Sequence, residues 1–249
     1  MNVKVVLILS LGLSACGGSG KTDFTGSTTN PIVDSGGTPW PTSTPNADGS
    51  NAAPATTIHN TKYCTVDDQG TITSVDSISV QDGDILNGIG GFCISRPIRE
   101  VWAMVLNYSI VKSVEIDKFI ETALPDQLDP TKGLLFAYDI NNTVHKMGGM
   151  VTIQWVARWF HTLTSGTYQS PNQVAINFQK VDGSNYISVD REGYVLDRVT
   201  PTVTSFVIQQ TIKSAQVDAA RVKMNIAEVI DKLRSATVDW SYLPDKLEN

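Results

Sequence analysis

The chain has 249 residues, with 25 Asp and Glu against 19 Lys and Arg for a formal charge of −6, and 41% of its residues are hydrophobic. An acidic chain with no run of Lys or Arg lacks the electrostatic footprint that phosphate backbones demand, which excludes nucleic acid as a partner. The composition is that of an exported globular protein of one modest domain, with three cysteines, Cys16, Cys64 and Cys93.

Residues 1–15 read as a secretory leader: the positive Lys4, the apolar run Val5-Val6-Leu7-Ile8-Leu9-Ser10-Leu11-Gly12-Leu13, then small residues. The run has nine residues, whereas a bilayer-spanning helix needs about 20. It is therefore expected to be removed and not kept as an anchor. Leu13-Ser14-Ala15-Cys16, followed by Gly17, resembles the lipobox of bacterial lipoproteins. That resemblance implies cleavage before Cys16, a diacylglycerol on its thiol and a third acyl chain on its amine. Two or three chains hold a protein at a membrane where one gives only marginal attachment. The implied partner is a membrane and the implied location the cell envelope. Gly17 and Gly18 lack the Asp that signals inner-membrane retention in enteric lipoproteins, which by analogy favours the outer membrane, facing periplasm or surface. The alternative is an ordinary cysteine at the end of an ordinary signal peptide. Once Cys16 is acylated, Cys64 and Cys93 remain as the even pair expected of an oxidising compartment, either as a disulfide or as two free buried thiols.

In residues 17–57, 29 of 41 are Gly, Ser, Thr, Pro or Asn. Such a stretch cannot bury enough apolar surface to offset its ordering entropy, so residues 16–57 are expected to form an acylated, disordered tether. As a flexible coil it would hold the folded part on the order of 35 Å from the membrane. Ala15-Cys16-Gly17-Gly18-Ser19-Gly20-Lys21-Thr22 fits a loose form of the phosphate-binding loop. That loop needs a strand before it and a helix after it. Neither flank exists, and cleavage before Cys16 would cut the motif, so no nucleotide is expected.

The globular domain is expected over residues 58–249. Its first clear element is a helix over 97–107, opened by Ser95 or Arg96 with Pro97 in the first turn; Ile98, Val101, Trp102, Val105 and Leu106 share one face. The apolar run 111–124 predicts another short helix, ended by Pro125 and Pro130. From Gly133 the period changes to that of strands, expected over 134–140, 151–160, 173–180, 185–191, 194–199 and 202–213 and separated by turn signals such as Asp182-Gly183-Ser184. Consecutive strands with short connections imply an antiparallel meander. A long helix over 215–236 closes the chain, with Val222, Ile226, Val229, Ile230 and Leu233 on one face, and must cover one face of that sheet.

A short strand ending in Cys93-Ile94, the stretch Arg96-Pro97-Ile98-Arg99-Glu100-Val101-Trp102 opening a helical pair, and the meander together resemble the START-like, or polyketide cyclase-like, helix-grip family. The closing run from Gly193-Tyr194-Val195 through Pro201-Thr202-Val203-Thr204-Ser205-Phe206 into the last helix is similar to its final strands and grip helix. The resemblance covers about residues 90–237. It implies an α+β fold, a curved antiparallel sheet wrapped on a long C-terminal helix, with a cavity between them for a hydrophobic or lipid-like ligand. Candidate lining residues are Trp155, Trp159, Phe178, Tyr186, Tyr194 and Phe206, with Arg158 or Arg191 as a charged handle for a headgroup. The same aromatics also read as plain core, and Asp190, Glu192 or Asp197 as partners of an interior arginine without any ligand. Alternation along 151–160 places Val151, Ile153, Trp155, Ala157 and Trp159 on one face and Thr152, Gln154, Val156, Arg158 and Phe160 on the other. Which face meets the cavity is open at this stage.

His59, His145 and His161 are scattered, no pair has metal-ligand spacing, and neither His-Glu-x-x-His nor Gly-x-Ser-x-Gly occurs. Neither a metal site nor a cofactor is expected, and no catalytic residue is assigned. An enzyme of cyclase or hydrolase type on this fold would draw on Asp139, His161 and Tyr186, which also read as surface or packing residues. Three functions follow: an envelope lipoprotein binding or shielding a hydrophobic molecule, an envelope enzyme acting on an aromatic or lipid-like substrate, and a scaffold lipoprotein meeting another protein through an exposed apolar patch.

Overall fold

The structure is a computed structural model in which residues 60–214 and 217–244 are described. Cys16, the 17–57 segment, the phosphate-loop-like stretch and His59 lie outside the described residues.

A small hairpin, β1 (Cys64–Val66) with β2 (Ile72–Ser74), precedes the main sheet. That sheet holds β3 (Ser77–Gln81), β4 (Leu86–Ile94), β5 (Lys118–Ala123), β6 (Leu134–Lys146), β7 (Val151–Gly166), β8 (Pro171–Gly183), β9 (Ile187–Thr200) and β10 (Val203–Ser214). Their spatial order is β3-β4-β10-β9-β8-β7-β6-β5, with every neighbouring pair antiparallel. The meander from β6 to β10 follows the expected strands, with one merger. Residues 185–191 and 194–199 belong to a single strand, because Gly193 is paired on both sides, with Asn177 of β8 and Gln209 of β10, and the ladder carries the chain past it.

The helix expected within 111–124 is a second departure. Helix α2 (Tyr108–Val111), N-capped by Asn107, whose side chain accepts from the Ser109 amide at 3.2 Å, ends where that stretch begins. The rest becomes the edge strand β5, paired with β6 from Lys118↔Thr143 to Ala123↔Tyr138. Edge pairing overrides the local apolar run, as tertiary context routinely does.

Helix α1 (Ile98–Leu106) has the expected face, but Ala103 and Met104 are fully buried as well. It is enclosed by the sheet on one side and by the turn Trp240–Tyr242 on another. Helix α3 (Ala219–Ser235) buries Val222, Ile226, Val229, Ile230 and Leu233, the face read from sequence. Asp218 caps its start by accepting from the Arg221 amide at 2.8 Å. At its other end Arg96 Nη2 donates to the carbonyls of Arg234 and Ala236 at 3.3 and 3.0 Å, so the cation meets the negative end of the helix dipole.

Glycines decide where α3 lies. A Cβ on Gly88 would fall 2.6 Å from Val222 Cγ1, and one on Gly90 2.6 Å from Ile226 Cγ2. The helix thus seats directly on the β4 backbone. On the opposite face of β4, the ring of Tyr63 occupies the space above Gly91, and Cys93 is bonded to Cys64. With Val66, Val199 and Val203 these cysteines form a second small core. Closing a loop with a sequence separation of 29 residues stabilises the fold by about 3 to 4 kcal/mol on the chain-entropy estimate.

Gly90→Ala is expected to destabilise the protein by about 1–3 kcal/mol through overpacking, lowering Tm by roughly 2–4 °C per kcal/mol. A melting curve unchanged by the substitution would show that α3 does not depend on this seat.

Candidate functional site

Strand β7 settles the question left by alternation: Ile153, Trp155, Ala157, Trp159 and His161 point inward and are buried. With inward residues of β6, β8, β9 and β10 they form the concave face under α1, α2 and α3. At one end α1 plugs this face. Trp102 Nε1 donates to His161 Nδ1 at 3.2 Å, and His161 Nε2 lies 2.7 Å from Tyr138 Oη. An indole nitrogen only donates, so the imidazole proton sits on Nε2 and is given to Tyr138. Burial holds His161 neutral, its pKa pushed down to about 3.

At the other end the helices leave a cavity of about 120 Å³. Trp159 stacks on Phe178 with ring centroids 4.2 Å apart, and Tyr108 of α2 meets Trp159 edge-on at 5.4 Å. Ile153, Ala157, Ile212 and Val229 complete the apolar wall. The rim carries Glu115, which pairs with Lys146 at 3.1 Å and with Arg221 of α3 at 3.4 Å.

Two acids face inward from β9. Asp190 and Glu192 line the cavity on the same face as Tyr194; Glu192 sits between Phe178 of β8 and Gln210 of β10, and Asp190 beside Ile212. Burial pushes the Asp190 carboxyl up to about 6; the Trp155 indole N–H, which makes no well-formed hydrogen bond, and the Lys180 ammonium oppose this without offsetting it. Burial and then the neighbouring Asp190 charge push Glu192 well above the ordinary carboxylate range. Nearby, Gln210 Oε1 and Asn225 Oδ1 are buried without hydrogen-bond partners. Tyr108, by contrast, is satisfied, its hydroxyl donating to Asn142 Oδ1 at 2.9 Å.

Of the residues singled out from sequence, Trp155, Trp159, Phe178, Tyr186 and Tyr194 line the cavity, Tyr186 at its exposed rim. Three lie elsewhere. Arg158 is on the outer face, where Nε and Nη2 grip Asp139 at 2.8 and 2.9 Å across the β6–β7 pair. Arg191 is exposed, because the residue between two inward acids must point out. Phe206 is packed against Tyr194 in the core beyond the cavity. The three catalytic candidates do not converge: Asp139 is held by Arg158 outside, His161 lies within strand β7 under the α1 plug with both nitrogens engaged, and Tyr186 is 52% exposed. Among the described residues no group of three or more His, Cys, Asp or Glu is placed to hold a metal ion, and no helix is long and apolar enough to cross a membrane.

A curved antiparallel sheet closed by a long C-terminal helix, with a cavity between, is a helix-grip fold. No family model matches the chain, and no curated protein matches it in sequence. Solved structures do match in shape. The lipid transfer and protein localization domain of human StarD13 (DLC2) is 8% identical with a TM-score of 0.48, over 70% of this chain and 87% of that one. Human STARD10 is 8% identical with a TM-score of 0.43, over 65% and 72%. The Zhui aromatase/cyclase from a Streptomyces species is 11% identical with a TM-score of 0.36, over 60% and 86%.

The buried ionisable groups set opposite pH trends. The acids hold protons in the folded state that the unfolded chain releases above pH 3.8 and 4.5, so the stability they contribute at low pH is lost as pH rises through about 6 and beyond. His161 contributes stability above pH 6.5 that is lost as pH falls toward about 3. Glu192→Gln is therefore expected to raise Tm at pH 8, by roughly 2–4 °C for each kcal/mol relieved, and to leave it nearly unchanged at pH 4. Equal shifts at both pH values in thermal melts would contradict the burial of this acid.

Proposed function

We propose that the protein binds a small hydrophobic molecule, or the apolar part of a larger one, in the cavity between the sheet, α2 and α3, and does so as a lipid-anchored protein of the cell envelope. The observation that carries the binding reading is an aromatic-walled cavity that ends on buried polar atoms without partners. A core selected for stability alone packs to crystal-like density and pairs its buried polar groups. Volume sets the size of what fits. An apolar cavity of about 150 Å³ accepts benzene, so the smaller 120 Å³ here admits at most a single ring or a short chain while closed, and anything larger requires the mouth to open. Binding is favoured over cyclase or hydrolase chemistry because Asp139, His161 and Tyr186 are spread over three separate environments.

The envelope part of the proposal rests on the lipobox-like run ending at Cys16 and on the 17–57 segment, whose composition suits a tether that lets the domain reach a ligand away from the surface holding it. The outer membrane is the expected site.

Native mass spectrometry of the full chain checks the cavity. A non-covalent small molecule is expected on the wild type and is expected to be absent from Ala157→Leu, which fills the cavity with apolar volume; equal loading of the two would place the ligand elsewhere. For the anchor, cells expressing Cys16→Ser should release the protein to the soluble fraction, whereas membrane retention of that variant would remove the acyl chain from the proposal.

A further inference from the structure

The charges that line the cavity are unbalanced. Glu115, Asp190 and Glu192 face one basic residue, Lys146, and that lysine is engaged by Glu115 at 3.1 Å. Neither Asp190 nor Glu192 has an ion-pair partner among the described residues; Lys180, the ammonium nearest Asp190 in effect, donates to the Ser184 carbonyl at 3.0 Å. A buried and a half-buried carboxyl at alternate positions on one strand face repel each other when ionised, and an uncompensated charge taken out of water is strongly unfavourable. Replacing either acid by a neutral residue would relieve that cost, so their joint presence in an otherwise apolar pocket needs a compensating group.

The chemistry around them specifies the group. Gln210 Oε1, directly across the ladder from Glu192, and Asn225 Oδ1 on α3 are orphaned acceptors. Gln210 is 8% exposed and lines the cavity. The orphaned donor nearby, Trp155 Nε1, lies beside Asp190 and favours its ionised form. What is missing is therefore a donor-rich cation. An ammonium supplies three N–H donors and a full positive charge, and aromatic rings such as Trp159, Phe178 and Tyr108, which line the same cavity, attract cations wherever a ring face is open.

We propose that the ligand carries a protonated amine seated by Asp190 and Glu192, with Gln210 Oε1 and Asn225 Oδ1 as further acceptors and its apolar body among Trp155, Trp159 and Phe178. This assignment rests on the cavity being a ligand site, and deepens that reading by naming the ligand's polar group. An anionic headgroup is repelled by these acids once either is ionised, and a neutral alcohol, unlike an ammonium, gives no charge to offset that ionisation.

Three single-ring probes of closely similar size decide between these: benzylamine, benzyl alcohol and benzoate, each titrated calorimetrically at pH 7.5 into the full chain after any co-purified ligand has been stripped. The amine is expected to bind at least about tenfold more tightly than the other two. In Asp190→Asn and Glu192→Gln the amine's affinity should fall to that of the alcohol. Alcohol binding retained in both variants would show that the cavity is intact. If the alcohol or the carboxylate binds the wild type as tightly as the amine, or if the variants keep the amine preference, the cavity reading stands and the amine assignment is overturned. If none of the three binds, the cavity reading itself falls and this one with it.

Discussion

The seat of α3 on Gly88 and Gly90 places every other part of the site. With no side chain between helix and strand, Val222 and Ile226 rest against the β4 backbone, and the helix is held over the β3–β4 side of the sheet. Its neighbouring face, with Asn225 and Val229, then overhangs the cavity above the middle strands. The arrangement has a local cost, since glycine weakens a strand interior. Strand β4 is fastened from outside itself: β3 and β10 pair with it on both edges, the Tyr63 ring lies on Gly91, and the disulfide ties Cys93 to β1. The N-terminal hairpin thus supports, through one weak strand, the floor on which the gripping helix stands.

The two ends of the concave face are built on different principles. Under α1, the polar atoms of Trp102, His161 and Tyr138 satisfy one another in a fixed direction of donation, and the imidazole is kept neutral by burial. Under α2 and α3, on neighbouring strands of the same sheet face, Asp190 and the half-buried Glu192 have no counter-ion among the described residues and Gln210 Oε1 has no donor. Local conflicts of that kind mark functional positions when the surrounding fold is otherwise consistent. The contrast within one sheet face separates the fully paired end from the end proposed to take a ligand.

Much of this was legible in sequence where a single periodic signal decided it. The faces of α1 and α3, and the grouping of Ile153, Trp155, Ala157 and Trp159 on one face of β7, follow from spacing alone, whereas which face of β7 points inward does not. The edge strand β5 was not, because an apolar run of that length fits either element and pairing with β6 chose the strand. The acids of the site were hidden by a false boundary. A break at Glu192-Gly193 leaves Asp190 at the end of one short strand and Glu192 between two, and on that reading both serve as partners for an arginine. Read through as one strand, the same residues alternate as Asp190, Glu192, Tyr194 and Leu196 on a face whose later members are plainly core. Arg158 was misleading for the complementary reason: a strand arginine has two possible faces, and its partner Asp139 is visible only in the β6–β7 register.

On the binding proposal, the closure over the cavity limits how a ligand enters. The mouth is spanned by Glu115, which joins Lys146 at the end of β6 to Arg221 on α3, and both pairs are partly open to solvent, with the Glu115 side chain 39% exposed. Such pairs contribute about 0–1 kcal/mol each, so they align the loop after α2 but do not lock it. The stronger hold is apolar. Val111 and Ile116, both lining residues, are 4% and 5% exposed. Lifting them into water costs about 1.5–3 kcal/mol apiece. Opening is therefore a matter of a few kcal/mol, which leaves the open form a minor but accessible population. A ligand small enough for the closed cavity keeps that burial once bound, whereas a larger one must hold the loop open and replace the lost contacts with its own surface. The packing of two aliphatic side chains, more than the ion pairs in front of them, sets the upper size of what this cavity retains.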